Sequence, residues 1–168
     1  MQYKRIAVTG GFGFLGGHVI AELYSRNYRK VFPISRGCYD LTHEDDVGRF
    51  YKEINPDIVI HLAAACGGIE ANRQSAGSFC YKNLVMGANL IELARIHKVK
   101  KLVLVGTVCS YPKFTEVPFK EEDIWNGYPE ETNAPYGLAK KMHLVLSQAY
   151  RQQYNFNSIY LIPVIFNL

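Results

Sequence analysis

Arg5-Ile6-Ala7-Val8-Thr9 runs straight into Gly10-Gly11-Phe12-Gly13-Phe14-Leu15-Gly16, and this junction decides the fold. The first five residues read as a short buried strand. Beyond the glycines, Leu15, Val19 and Leu23 recur at four-residue spacing and give one apolar face to a helix over about Phe14–Arg26. Between strand and helix, Gly10 permits a tight turn, Gly13 lets the backbone approach a pyrophosphate, and Gly16 lets the helix close on the sheet. The helix start then turns unpaired N–H groups and its positive dipole end toward that phosphate. A glycine triplet alone is weak evidence. Its place between a buried strand and an amphipathic helix gives it weight, the alternative being a tight strand-to-helix turn with no ligand.

Working outward, Lys30–Ile34, Asp57–Leu62, Lys101–Val105 and Ser158–Val164 read as further strands. Pro33 marks the second strand as edge-like. Helices are expected over His43–Ile54, with Thr42 as N-cap, over Ser78–His97 and over Ala134–Tyr154. Strands apolar on both faces that alternate with helices imply a parallel sheet covered on both sides. Right-handed crossovers make it an α/β doubly wound sheet, a Rossmann domain of three αβα layers. No repeat or linker interrupts residues 1–168, which read as one domain.

Composition narrows the classes. Of 168 residues, 48% are hydrophobic and 20% charged, as in a folded globular protein, and the net charge is only +4. Basic residues are scattered, with small knots at Lys98–Lys101 and Lys140–Lys141, so a nucleic-acid surface is not expected. Cys38, Cys66, Cys80 and Cys109 show neither metal-ligand spacing nor CxxC, so no metal is expected and a reduced, cytoplasmic setting is. The apolar runs are too short for a signal-peptide core or a membrane span.

The second strand ends in Ile34-Ser35-Arg36, where a site for NAD usually carries an acid for the ribose 2′-hydroxyl. A guanidinium there suits a 2′-phosphate and favours NADP(H), the alternative being a solvated surface arginine. Asp40-Leu41 stands where an adenine edge is read; Leu62 ends the third strand, Ala63–Ala65 after it are small residues against which a cofactor can lie, and Leu62, Ala63 and Ala64 are taken as cofactor residues.

Tyr136-x-x-x-Lys140 places a phenol and an ammonium one helical turn apart. The ammonium is expected to lower the phenol's pKa and to hydrogen-bond a nicotinamide ribose. Thr107 follows the fourth strand, where its hydroxyl faces the cleft. The three form a Ser/Thr–Tyr–Lys set for hydride transfer at a carbonyl.

These residues resemble the extended short-chain dehydrogenase/reductases. Within them, Cys66-Gly67-Gly68-Ile69-Glu70-Ala71-Asn72 is similar to the GGI-x-A-N segment of the GDP-L-fucose synthases. Gly106-Thr107-Val108-Cys109-Ser110-Tyr111-Pro112-Lys113 is similar to their G-S-S-C-I-Y-P-K, and Thr132–Lys140 to their T-N-x-P-Y-x-x-A-K. The resemblance implies an NADPH-dependent 3,5-epimerisation and 4-reduction of GDP-4-keto-6-deoxy-D-mannose. On it Tyr136 donates the proton to O4, Lys140 tunes Tyr136 and holds the ribose, and Thr107 hydrogen-bonds O4. Cys109 acts as one acid/base of the epimerisation; from position alone it reads equally as a small buried residue. Phe14, Leu15 and Pro163 join the cofactor residues. The family also implies a homodimer through the helices Ser78–His97 and Ala134–Tyr154.

Three departures accompany the resemblance. Thr107 replaces a serine, Ile165 stands where the family has a substrate-contacting asparagine, and the family's second acid/base and C-terminal sugar domain have no counterpart in residues 1–168. The cofactor is thus expected to bind without the rest of the sugar site. Two other readings stay open: a 4-epimerase or 4,6-dehydratase of the same superfamily, and a non-catalytic cofactor-binding or dimerisation module.

Overall fold

The computed structural model describes residues 4–163. Five parallel strands form one sheet: β1 (Ile6–Thr9), β2 (Val31–Ile34), β3 (Ile58–His61), β4 (Lys101–Val105) and β5 (Ser158–Leu161), in the order β2-β1-β3-β4-β5. The chain leaves β1 toward β2 and returns on the other side as β3, so the topological switch point lies at the carboxyl ends of β1 and β3. That is where a doubly wound sheet opens a ligand crevice. Pro33, which has no N–H to give, sits on β2 at the sheet edge, as expected.

Residues of opposite parity face opposite sides. Ala7, Val59, Leu102 and Leu104 pack under α2 (Glu44–Ile54), α4 (Ala76–Ile96) and α5 (Ala134–Tyr154), forming the main core with Phe50, Tyr51 and Leu90. Ile6, Val8 and Val31 face the other way, toward Ile20 and Leu23 of α1 (Phe14–Ser25). Beyond α1 this second face is open among the described residues: Ile60, Leu62, Val103, Val105 and Leu161 line a trough of about 1010 Å³.

Local signals explain the helix ends. α2 carries Glu44, Asp45 and Asp46 in its first turn, where carboxylates complement the positive dipole end, and stops at left-handed Asn55. Its N-cap is His43, not Thr42. The Thr42 hydroxyl donates instead to Asp40 Oδ1 at 2.7 Å, a local turn that competes with capping. A short helix absent from the sequence expectation, α3 (Ile69–Gln74), precedes α4, and β5 ends at Leu161. Val164 and Ile165 lie outside the described residues.

Candidate functional site

A cavity of about 400 Å³ opens at the switch point. Gly10 and Gly13 form one end, Arg36, Asp40 and Leu41 the other, and Leu62, Ala63 and Ala64 the wall between. Gly10 adopts φ +68°, and a Cβ there would come within 2.9 Å of the Ala63 nitrogen; only glycine allows the turn and the approach together. Gly16 is buried against the Gly10–Gly11 backbone, which seats α1 close to the loop. No side chain caps the start of α1, so its first-turn N–H groups stay available to an anion.

The side chains of Phe14 and Leu15 do not line this cavity. Phe14 is exposed, and Leu15 faces the trough on the opposite side of the sheet. Any part these two residues play is through backbone amides. Pro163 also lies on the trough. Lys82 and Met86 of α4 complete the cavity wall. They carry no motif; their four-residue spacing on one helix face was the only trace in the sequence.

Arg36 is mostly exposed, and its Nε donates to Asp40 Oδ2 at 3.2 Å. Asp40 also accepts from the Thr42 N–H at 3.0 Å and from the Thr42 hydroxyl. These contacts, the Thr42 hydroxyl foremost, hold its carboxyl below the ordinary range against the cost of burial. Above the cavity, Asn83 ties the wall in place: its Oδ1 accepts from the Ala65 N–H at 3.0 Å and its Nδ2 donates to the Ala65 carbonyl at 2.7 Å.

The residues expected to act on a carbonyl lie beside β4 and at the start of α5. Thr107 follows β4 and caps a single 3₁₀ turn, Val108–Ser110, its hydroxyl accepting from the Cys109 N–H at 3.2 Å. The Ser110 hydroxyl donates to the Gly137 carbonyl at 2.7 Å, and Gly137 packs on the Cys109 carbonyl, so the start of α5 is locked onto that turn. Tyr136 is thereby held near Cys109, whose negative form helps raise the phenol's pKa. Cys66, in the loop after β3, bears on both Tyr136 and Lys140 in the same way. In the sequence Cys66 stands only as part of a motif, and nothing local brings that loop beside α5.

The electrostatics correct one expectation. Burial, not Lys140, dominates the Tyr136 phenol and pushes it up to about 12, with the Cys66 and Cys109 charges acting in the same direction. Lys140 is itself 2% exposed, and loss of hydration pushes it down to about 8. A phenol in this state keeps its proton at neutral pH. Such a phenol is suited to donate to a developing alkoxide, which is a stronger base than phenolate, and not to act as a resting base.

Among the described residues no cluster of three or more His, Cys, Asp or Glu side chains is placed to hold a metal, and no helix is long and apolar enough to cross a membrane. The fold and the grouped threonine, tyrosine and lysine define a dinucleotide-binding domain of the short-chain dehydrogenase/reductase kind. Residues 6–167 match the model of the NAD dependent epimerase/dehydratase family, and the chain belongs to that family. It is 40% identical over 160 residues to a GDP-L-fucose synthase of Sinorhizobium fredii, covering 95% of this chain and 51% of that one. It is 34% identical over 136 residues to a GDP-L-colitose synthase of Yersinia pseudotuberculosis, covering 81% and 44%. Among solved structures, a GDP-mannoheptose C4 reductase of Campylobacter jejuni with NADP bound superposes with a TM-score of 0.91 at 30% identity, over 96% of this chain and 51% of the other. The chain spans about half the length of the curated relatives it matches.

Proposed function

We propose that residues 1–168 form the NADP(H)-binding, proton-donating half of a nucleotide-sugar epimerase/reductase acting on GDP-4-keto-6-deoxy-D-mannose. The observation that carries this reading is the docking of α5, which bears Tyr136 and Lys140, on the turn that holds Thr107 and Cys109, while the glycine-lined cavity opens separately at the switch point. Relatives that reduce or epimerise GDP-sugars, among them one with NADP bound, support the class of substrate and the cofactor.

The residues fit the cofactor. Gly10, Gly13 and the uncapped start of α1 would hold its pyrophosphate, Arg36 its 2′-phosphate, Asp40 and Leu41 its adenine, and Leu62–Ala64 the ribose between. When bound, it would supply the hydride for reduction at C4. Thr107 hydrogen-bonds O4, and Tyr136 gives O4 the proton that converts alkoxide to alcohol. Lys140 would hold the nicotinamide ribose. Cys109 takes a proton from carbon next to the ketone, where it is acidic enough for a thiolate to remove.

Titration with NADPH and NADH tests the cofactor assignment. NADPH should bind more tightly to the native chain. Arg36→Ala should weaken NADPH alone by roughly ten- to hundred-fold, as for a lost charged hydrogen bond. Equal affinity of the native chain for the two cofactors overturns it. The chemistry is tested by mixing the chain with the C-terminal half of the Sinorhizobium fredii relative, in deuterated water with NADPH and the keto-sugar. Tyr136→Phe should stop NADPH oxidation and spare deuterium uptake at C3 and C5, and Cys109→Ser should suppress uptake.

A further inference from the structure

The dinucleotide cavity has one wall that no sequence motif accounts for. There α4 presents Met86, buried in the main core, and one turn before it Lys82, which is half-buried. The ammonium of Lys82 pairs with no carboxylate among the described residues. Asp40 is the sole acid among the described residues on the cavity wall, and its two oxygens are already taken by Thr42 and Arg36. The cavity therefore holds two cations against one committed carboxylate.

A half-buried cation on a cavity wall without a counter-charge is open to pairing with an anion. A ligand phosphate entering the cavity supplies that counter-charge. An ammonium on a flexible stem acts as a point charge toward phosphate and needs no fixed fork geometry. We infer that Lys82 is a phosphate-binding residue of this site, a second cation contributed by α4 in addition to Arg36 from the loop after β2. The inference rests on the dinucleotide reading above. It goes further in making the affinity depend on a residue outside every recognised motif. The phosphate is either the 2′-phosphate at the Arg36 end or the pyrophosphate at the Gly10–Gly13 end; the ammonium–phosphate chemistry is common to both.

The experiment titrates the full chain with NADPH and NADH at low and moderate ionic strength, in the native form and as Lys82→Gln, Lys82→Arg and Lys52→Gln. Lys52 is an exposed α2 lysine outside the cavity. Unfolding midpoints check that each variant is folded. Lys82→Gln should weaken NADPH about tenfold or more, as for a lost charge-assisted contact, and its affinity should depend less on salt. Lys82→Arg should keep most of the affinity, and Lys52→Gln should match the native chain. A matching loss for NADH places the contact at the pyrophosphate; a loss confined to NADPH places it at the 2′-phosphate. If folded Lys82→Gln binds NADPH as tightly as the native chain, Lys82 is not a phosphate ligand and the cofactor reading stands. If the native chain binds neither dinucleotide, the cofactor reading fails and takes the Lys82 assignment with it.

Discussion

The imidazole of His143 fills the space that a side chain at Gly87 would need. One residue is on α5 and the other on α4, and the fit lets the two helices close along their length. From that position the His143 Nε2–H donates to the Asn83 carbonyl at 2.9 Å, and Asn83 in turn brackets Ala65. The helix that bears Tyr136 and Lys140 is thus tied, through the His143 and Asn83 side chains, to the wall of the cofactor cavity.

Gly87→Ala should therefore destabilise the fold, although alanine is the better helix former. Helix propensity favours the substitution by about 1 kcal/mol. A methyl forced into a filled contact costs about 1–3 kcal/mol, and the clash here is with a buried ring. A fall in the urea midpoint at unchanged slope is expected. An unchanged midpoint would mean that α4 and α5 part without cost.

Acid should weaken the fold through two histidines. Burial first, then the Lys140 charge, pushes His143 down to about 4, while its bonds to the α4 backbone oppose the shift. His61 lies well below its ordinary value for the same leading reason, with Lys140 and His143 adding to it. Both are neutral in the folded chain, so the unfolded chain binds more protons as pH falls from about 6.5 toward 4. Stability is complete above that window and lost within it, each histidine adding roughly 1.4 kcal/mol per pH unit. His143→Gln should flatten the profile. Should that variant fail to fold, the imidazole resonances of the native chain followed by NMR give the same answer, and titration near 6.5 refutes the shift.

Much of this was legible in the sequence because it was local. The strand–glycine–helix junction at Arg5–Leu23, the alternation of strands and helices and the Pro33 edge each depend on near neighbours in the chain. What stayed hidden depends on distant packing. Lys82 reaches the cavity only because α4 crosses the switch point. Cys66 comes within electrostatic reach of Tyr136 only because the loop after β3 lies near the start of α5. The sign of the Tyr136 shift turned on burial, which the YxxxK spacing does not encode. Thr42 misled for a local reason: a nearer partner, Asp40, took its hydroxyl.

Lys140→Met should make the unliganded chain more stable and less able to bind NADPH. Its ammonium is buried with no carboxylate partner among the described residues, and its folded value of about 8 lies below the ordinary lysine value of 10.5. The unfolded chain binds more protons between those two values, so native stability rises with pH across that window and carries the full cost of the buried charge below it. Removing the ammonium should add about 1–3 kcal/mol at neutral pH, and the advantage should shrink toward pH 10. A variant less stable than the native chain at neutral pH would show that Lys140 has a partner in the fold.

The open face of the sheet makes the last prediction. Among the described residues β5 pairs only with β4, and Ile159 and Leu161, on the side away from α5, are 39% and 45% exposed. With Val103, Val105 and Ile60, Leu161 lines a largely apolar trough bordered by Leu15 and Val19 of α1 and by Leu144 and Gln148 of α5. Contiguous apolar surface of this kind, next to an edge strand with unpaired backbone groups, favours association. The isolated chain should enhance the fluorescence of an apolar dye and sediment faster as its concentration rises. Leu161→Lys places a charge in the trough without disturbing a buried contact, so its cost in stability should stay within about 0.5 kcal/mol. It should lower both the dye signal and the association. Ile159→Lys, on the same side of the edge strand but outside the trough lining, should reduce association and leave most of the dye signal. If Leu161→Lys changes neither reading, the trough is not the surface through which the chain associates.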